Sequence, residues 1–314
     1  MRADGSFSLF GMDAAGKLLF EQPIPARGHA AAAHPSKAIA VAFARRPGTF
    51  ALVLDCATGA LLKRLESPAG RHFYGHGVFS LDGRTLFTTE QDYTTATGLV
   101  GVWDAEFNRV GEFPSGGIGP HEVRRLPGTD TLVVANGGIE THPESGRTKL
   151  NIPTMAPNLS YVSETGVILE KMEPARPARL NSIRHIDVAE DGTVAFGNQW
   201  QAMANIQPLI GLHRRGEEPI YPAPGTYERR AQGYIGSVAI SPDGREVTAT
   251  APRGGLVFTV DLASGELTET PASDASGVAY LGETRVFTSG TGTVMAGRQP
   301  VSHPVAWDNH LVPI

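Results

Sequence analysis

Short apolar runs follow one another down this chain, and each is stopped by Gly, Asp, Pro or Ser. One such run shows the pattern. His76 opens it, Val78 and Phe79 carry it, and Asp82-Gly83 closes it. The spacing recurs from His121 to Gly128, from His185 to Gly192 and from Ser237 to Gly244. Looser copies open at His29, Gly277 and His310. Further runs follow each opening; after His76 they cover 84–89, 99–104 and 109–113. β-Branched and aromatic runs bounded by turn residues predict strands, and Asp-Gly, Ser-Gly and Thr-Gly pairs predict hairpins. Four strands in roughly 40–50 residues is the period of a β-propeller blade.

Seven openings predict an all-β, seven-bladed propeller occupying 1–314 as a single domain. The last blade would join a strand at His310 to N-terminal strands at 7–12 and 17–24, which removes the open edge between first and last blades. Six blades is the alternative if His310 begins only a tail. A fourth strand is missing from the closing blade, so the natural chain is expected to extend upstream of Met1. Fourth strands are also expected at 219–221 and near Val305. One irregularity breaks the period, a loop over 136–157 inside the His121 repeat. Long ordered loops in compact domains are usually functional; a tolerated surface insertion is the other reading.

Strands within a blade alternate in direction, so connections alternate between faces. Short hairpin turns mark one face. The other holds the starts of the opening strands and the polar loops after the second strands. Loops on a rigid scaffold are where binding residues concentrate. The candidate binding residues there are Arg45, Arg46, Glu90, Asp92, Asn136, Glu140, His142, Arg184, Asn198 and Trp200. Histidines at equivalent positions, His29, His76, His121, His185 and His310, predict a ring near the axis. Imidazole is the commonest metal ligand and suits iron or copper. Glu90, Asp92, Glu122 and Asp308 are the carboxylates expected to complete such a site. The competing reading makes these histidines packing residues, bonded between blades and facing away from the channel. Arg27, Arg45, Arg46 and Arg184 are expected either to make the same mouth attractive to carboxylate or phosphate groups or to form ordinary surface salt bridges.

Composition narrows the chemistry. With 41% hydrophobic residues the chain can bury a sizeable core, and a net charge of −5 gives no nucleic-acid footprint. The lone Cys56 excludes an intramolecular disulfide and a thiolate metal cluster. No apolar run reaches the ~18 residues of a membrane-spanning helix. Met1-Arg2-Ala3-Asp4 opens no signal sequence, which predicts a cytoplasmic protein or one whose leader has been removed. A zinc-protease HExxH, a Gly-x-Ser-x-Gly elbow and a phosphate-binding loop are all missing from the sequence. Trp103-Asp104 matches the dipeptide of WD40/YVTN-type repeats but ends a third strand.

Several stretches resemble a bacterial family catalogued as domain of unknown function 1513. They include Gly117-Ile118-Gly119-Pro120-His121-Glu122, then Asn136-Gly137-Gly138-Ile139-Glu140-Thr141-His142-Pro143, and Ser182-Ile183-Arg184-His185. The resemblance runs over essentially the whole chain. It implies a propeller exported to the periplasm, often behind a twin-arginine signal, and encoded near imelysin-like, iron-regulated proteins. The expected function is a periplasmic binding or accessory protein of iron or metal acquisition, with an imelysin-like partner. A metal-dependent hydrolase or oxidoreductase at the same mouth is one alternative. A protein-interaction scaffold without a small ligand is the other.

Overall fold

The computed structural model describes residues 1–225, 227–308 and 310–314, and among these a two-stranded hairpin is followed along the chain by six larger antiparallel sheets. Blade one comprises Gly28–Ala33, Ile39–Ala44, Phe50–Asp55 and Leu61–Glu66. Blade two comprises Arg71–Phe79, Leu86–Asp92, Thr97–Trp103 and Arg109–Pro114. Blade three comprises Pro120–Arg125, Thr131–Asn136, Asn158–Ser163 and Ile168–Met172. Blade four has three strands, Asn181–Val188, Val194–Trp200 and Ile210–His213. Blade five comprises Ser237–Ile240, Glu246–Ala251, Leu256–Asp261 and Leu267–Pro271. Blade six comprises Ala275–Leu281, Thr284–Ser289, Thr293–Ala296 and Gln299–Ser302. The first strand of each blade packs against the first strand of the next, so the first strands are innermost, as in a β-propeller. Helix among the described residues is limited to short 3-10 turns at Pro143–Ser145, Ile152–Thr154 and Arg176–Ala178.

The middle strands are buried on both faces, which is why they read as unbroken apolar runs such as Phe50–Asp55. The outermost strands, such as Leu61–Glu66, are largely exposed. Between blades one and two lie Val41, Phe43, Val53, Phe73, Phe79, Leu86 and Trp103. Each such side chain contributes roughly 1.5–3 kcal/mol by leaving water. This packing between blades gives the axis a stiff wall.

The expected seventh blade does not form. Phe7–Met12 and Leu18–Ile24 pair only with each other, and no strand occurs among the described residues of 303–314. Pro304 and Pro313 have no N–H to give a ladder, which limits pairing there. The tail is clasped in another way. Arg2 bridges Val305, and the amide of Ala306 donates to the carbonyl of Met1. Leu9 and Ile24 of the hairpin pack on the core of blade one, and Phe10 meets Trp307 edge-on with ring centres 5.3 Å apart. Two smaller expectations also change. The strand predicted at 219–221 is reduced to a single bridge between Leu212 and Ile220, because Pro219 and Pro222 flank it. The fourth strand of blade six is Gln299–Ser302, ahead of the predicted Val305.

Candidate metal centre and the cavity above it

In blades one to four the pairing of the inner strand slips at or beside the repeated histidine. The irregularities fall between Gly28 and Ala31, Phe73 and Gly77, Pro120 and Glu122, and Ile183 and His185. A bulge bends a strand and re-aims a side chain. Here it accompanies imidazoles that meet one another across blades. Ser237, at the equivalent position of blade five, lies on a strand in continuous register.

The five predicted histidines converge. His29 lies 4.9 Å from His76, 5.2 Å from His121 and 4.5 Å from His310, measured between ring centres. His76 and His310 are 4.5 Å apart, His121 and His185 4.7 Å, and His185 and His310 5.0 Å. His310 reaches this cluster from the tail without belonging to a strand. Gly75 makes room for the ring of His29; its φ is +107°, and a Cβ there would collide with the imidazole.

Glu122 anchors the cluster. Its Oε1 faces His76 Nδ1 at 3.6 Å, and its Oε2 faces His185 Nδ1 at 3.5 Å. Arg124, two residues along the same strand, pairs with Oε1 at 3.0 Å, and the Ile186 amide donates to Oε2 at 3.3 Å. Six imidazole nitrogens are buried without a hydrogen-bond partner: His29 Nδ1, His76 Nε2, His121 Nδ1, both nitrogens of His185, and His310 Nε2. Burial, then neighbouring positive charge, holds all five rings neutral. His185 and His310 are lowered to about 3, and His29, His76 and His121 lie well below the ordinary value. Two sets of donors could hold an ion, His76, His121, Glu122 and His185, and His29, His76 and His310; within each set the atoms lie within 4.8 Å of one another.

Above the ring opens a cavity of about 280 Å³. His29, His121 and His185 are part of its wall, with Tyr74, Trp200 and Tyr234. Its cations are Arg45, Arg46, Arg147, Lys149, Arg184 and Arg253. Arg45 and Arg253 follow second strands, and Arg147 and Lys149 come from the long loop. On the other side of the ring, His76, His310, Glu122 and Arg124 line a narrow pocket of about 20 Å³.

Of the residues singled out by sequence, Arg45, Arg46, Arg184 and Trp200 line the cavity. Six others do not border it. Glu90 accepts from Thr88 and Arg109 between the strands of blade two. Asp92 caps the turn at Thr94 and Thr95. Asn136 is enclosed by Ser115, Asn158 and Ser160. The Glu140 amide donates to Asn151, and His142 caps the 3-10 turn at Glu144. Asn198 joins strands through its backbone. Sequence reading placed the loop of Gln199 and Gln201 on this face but missed Lys149, Tyr234 and Arg253 as wall residues. Arg253 had a usable signal, since it follows the second strand of its blade much as Arg45 does.

A family model described as "Protein of unknown function (DUF1513)" matches residues 22–314. A search of curated proteins gave no match. Among solved structures, a chain of hydrazine synthase from Kuenenia stuttgartiensis superposes with a TM-score of 0.71. The two are 14% identical, with 95% of this chain and 90% of that chain covered. At that identity the likeness shows a shared fold.

Proposed function

Since this chain belongs to the DUF1513 family, whose description names no activity, we propose a function from the site itself: the propeller binds a transition metal ion in its histidine ring. We further propose that it works as a periplasmic binding or accessory protein of iron or related metal acquisition. The periplasmic and iron-linked part rests on the sequence resemblance. The metal part rests on geometry, and the observation that carries it is the set of buried, partnerless imidazole nitrogens at one point on the axis. Leaving a buried polar atom unpaired costs about 1–3 kcal/mol. A packing role for these rings would have supplied partners. Neutral imidazole is the ligating form. Glu122 faces Nδ1 of both His76 and His185, which leaves Nε2 of each as the open donor. A nitrogen-rich set with one carboxylate suits iron or copper.

The test is elemental analysis and metal titration of the stripped, reloaded protein beside the double variant His121→Ala/His185→Ala. Near-stoichiometric binding that disappears in a variant with unchanged circular dichroism supports the reading. Equal metal content in the two proteins sinks it. A second reading has its own observation: His29, His121 and His185 also border the cavity, so a small molecule there would reach a ring-bound ion. That arrangement fits a metal-dependent hydrolase or oxidoreductase, and turnover abolished by chelation would select it.

A further inference from the structure

We propose that the cavity above the ring is a binding site for a small, multiply charged oxyanion, with polycarboxylates and polyphosphates the two sources of that chemistry. Six cationic side chains and no carboxylate line it, in a chain whose net charge is −5. Among the described residues, Arg46, Arg147, Lys149, Arg184 and Arg253 have no carboxylate within 4.0 Å. Of the six, Arg45 alone among the described residues has a carboxylate, Asp308, which also pairs with Arg27.

Arg184 makes the strongest case. It is 6% exposed, and its Nε is buried without a partner. A buried charge without a counter-ion is costly, so a buried guanidinium whose neighbour is the Tyr74 hydroxyl and that has no carboxylate calls for an anion. The hydroxyl of Tyr74 is buried on the same wall, beside Arg184 and Thr141. Arg46 lies over the Tyr74 ring at 5.4 Å and donates to Thr141 at 2.7 Å, so its guanidinium is held in place. Arg253 is similarly stacked on Tyr234 at 4.4 Å. Planar guanidinium forks recognise carboxylate and phosphate oxygens in pairs. At about 280 Å³ the space falls at the small end of ligand sites, which run to about 1,000 Å³, and so fits a metabolite.

The proposal rests on reading this mouth as a binding site and does not need the metal. The test is therefore made on metal-free full-length protein. Citrate and pyrophosphate are titrated calorimetrically at low and raised sodium chloride, against wild type, Arg184→Gln and the rim variant Arg253→Gln. At least one probe is expected to bind, more weakly at high salt, and at least about tenfold more weakly in Arg184→Gln, the loss of one charge-assisted bond. The tighter probe identifies carboxylate or phosphate as the source. Arg253 is exposed, so its variant keeps the fold and also weakens binding. Absence of binding by both probes at millimolar concentration, or affinities equal in wild type and both variants, overturns the proposal. Anion binding without metal uptake would remove only the metal reading, and metal uptake without anion binding only this one.

Discussion

Gly75 packs against His29 with a φ of +107°. Alanine there adds backbone strain of about 1–2 kcal/mol and forces the imidazole aside. Gly75→Ala is expected to lower stability in urea melts by about that much or more and to weaken metal binding. A variant that loads metal like wild type would show that His29 is not a ligand. Glu122→Gln keeps the shape but removes the charge facing two imidazoles; metal affinity should fall about 10–100-fold in titration. Away from the axis, Tyr161 Oη lies 2.6 Å from His213 Nδ1. Burial lowers His213 below its ordinary value of 6.5, though Glu170 opposes the shift. The unfolded chain therefore takes up this proton first as pH falls, and stability from neutral His213 is complete above about 6.5 and lost below it. The stability gap between wild type and His213→Gln, from melts at pH 7.5 and pH 5, should shrink at the lower pH. A gap that widened would contradict that sign.

At the scale of elements, the opening strands and their histidines were legible because turn residues recur at a fixed distance from them. The bulges that accompany the re-aimed histidines were not. Register depends on what the neighbouring strand offers, and no local motif encodes it. Loop residues were legible only as polar segments. Arg45 and Arg46 reach the cavity, whereas Glu90 and Asn136, equally polar, turn back into their own sheets. Asn136 donates to Ser115, Asn158 and Ser160, binding the long loop to the strands it leaves. Asn136→Ala should cost about 1–3 kcal/mol by leaving buried partners unpaired, measured in urea, with citrate affinity unchanged. A selective loss of citrate binding would return Asn136 to the site.

For the whole molecule, the count of seven openings predicted one blade too many. His310 does reach the ring, but sheet formation also needs a row of donors and a partner strand, and the tail has Pro304 and Pro313. The cationic cavity was only partly visible for a related reason: its charges come from three blades and the long loop of a fourth, and the chain average of −5 conceals them.

His29 and His310 stand at opposite ends of the sequence yet touch on the axis. Their meeting requires every blade between them to be in place, with the N-terminal hairpin clasped to the tail. The donor set of His29, His76 and His310 is complete only once the tail has arrived, whereas His76, His121, Glu122 and His185 belong to blades two to four. The full ring of five imidazoles therefore depends on closure of the circle. An ion held by His29, His76 and His310 would certify that the circle had closed, because that set joins the two ends of the chain.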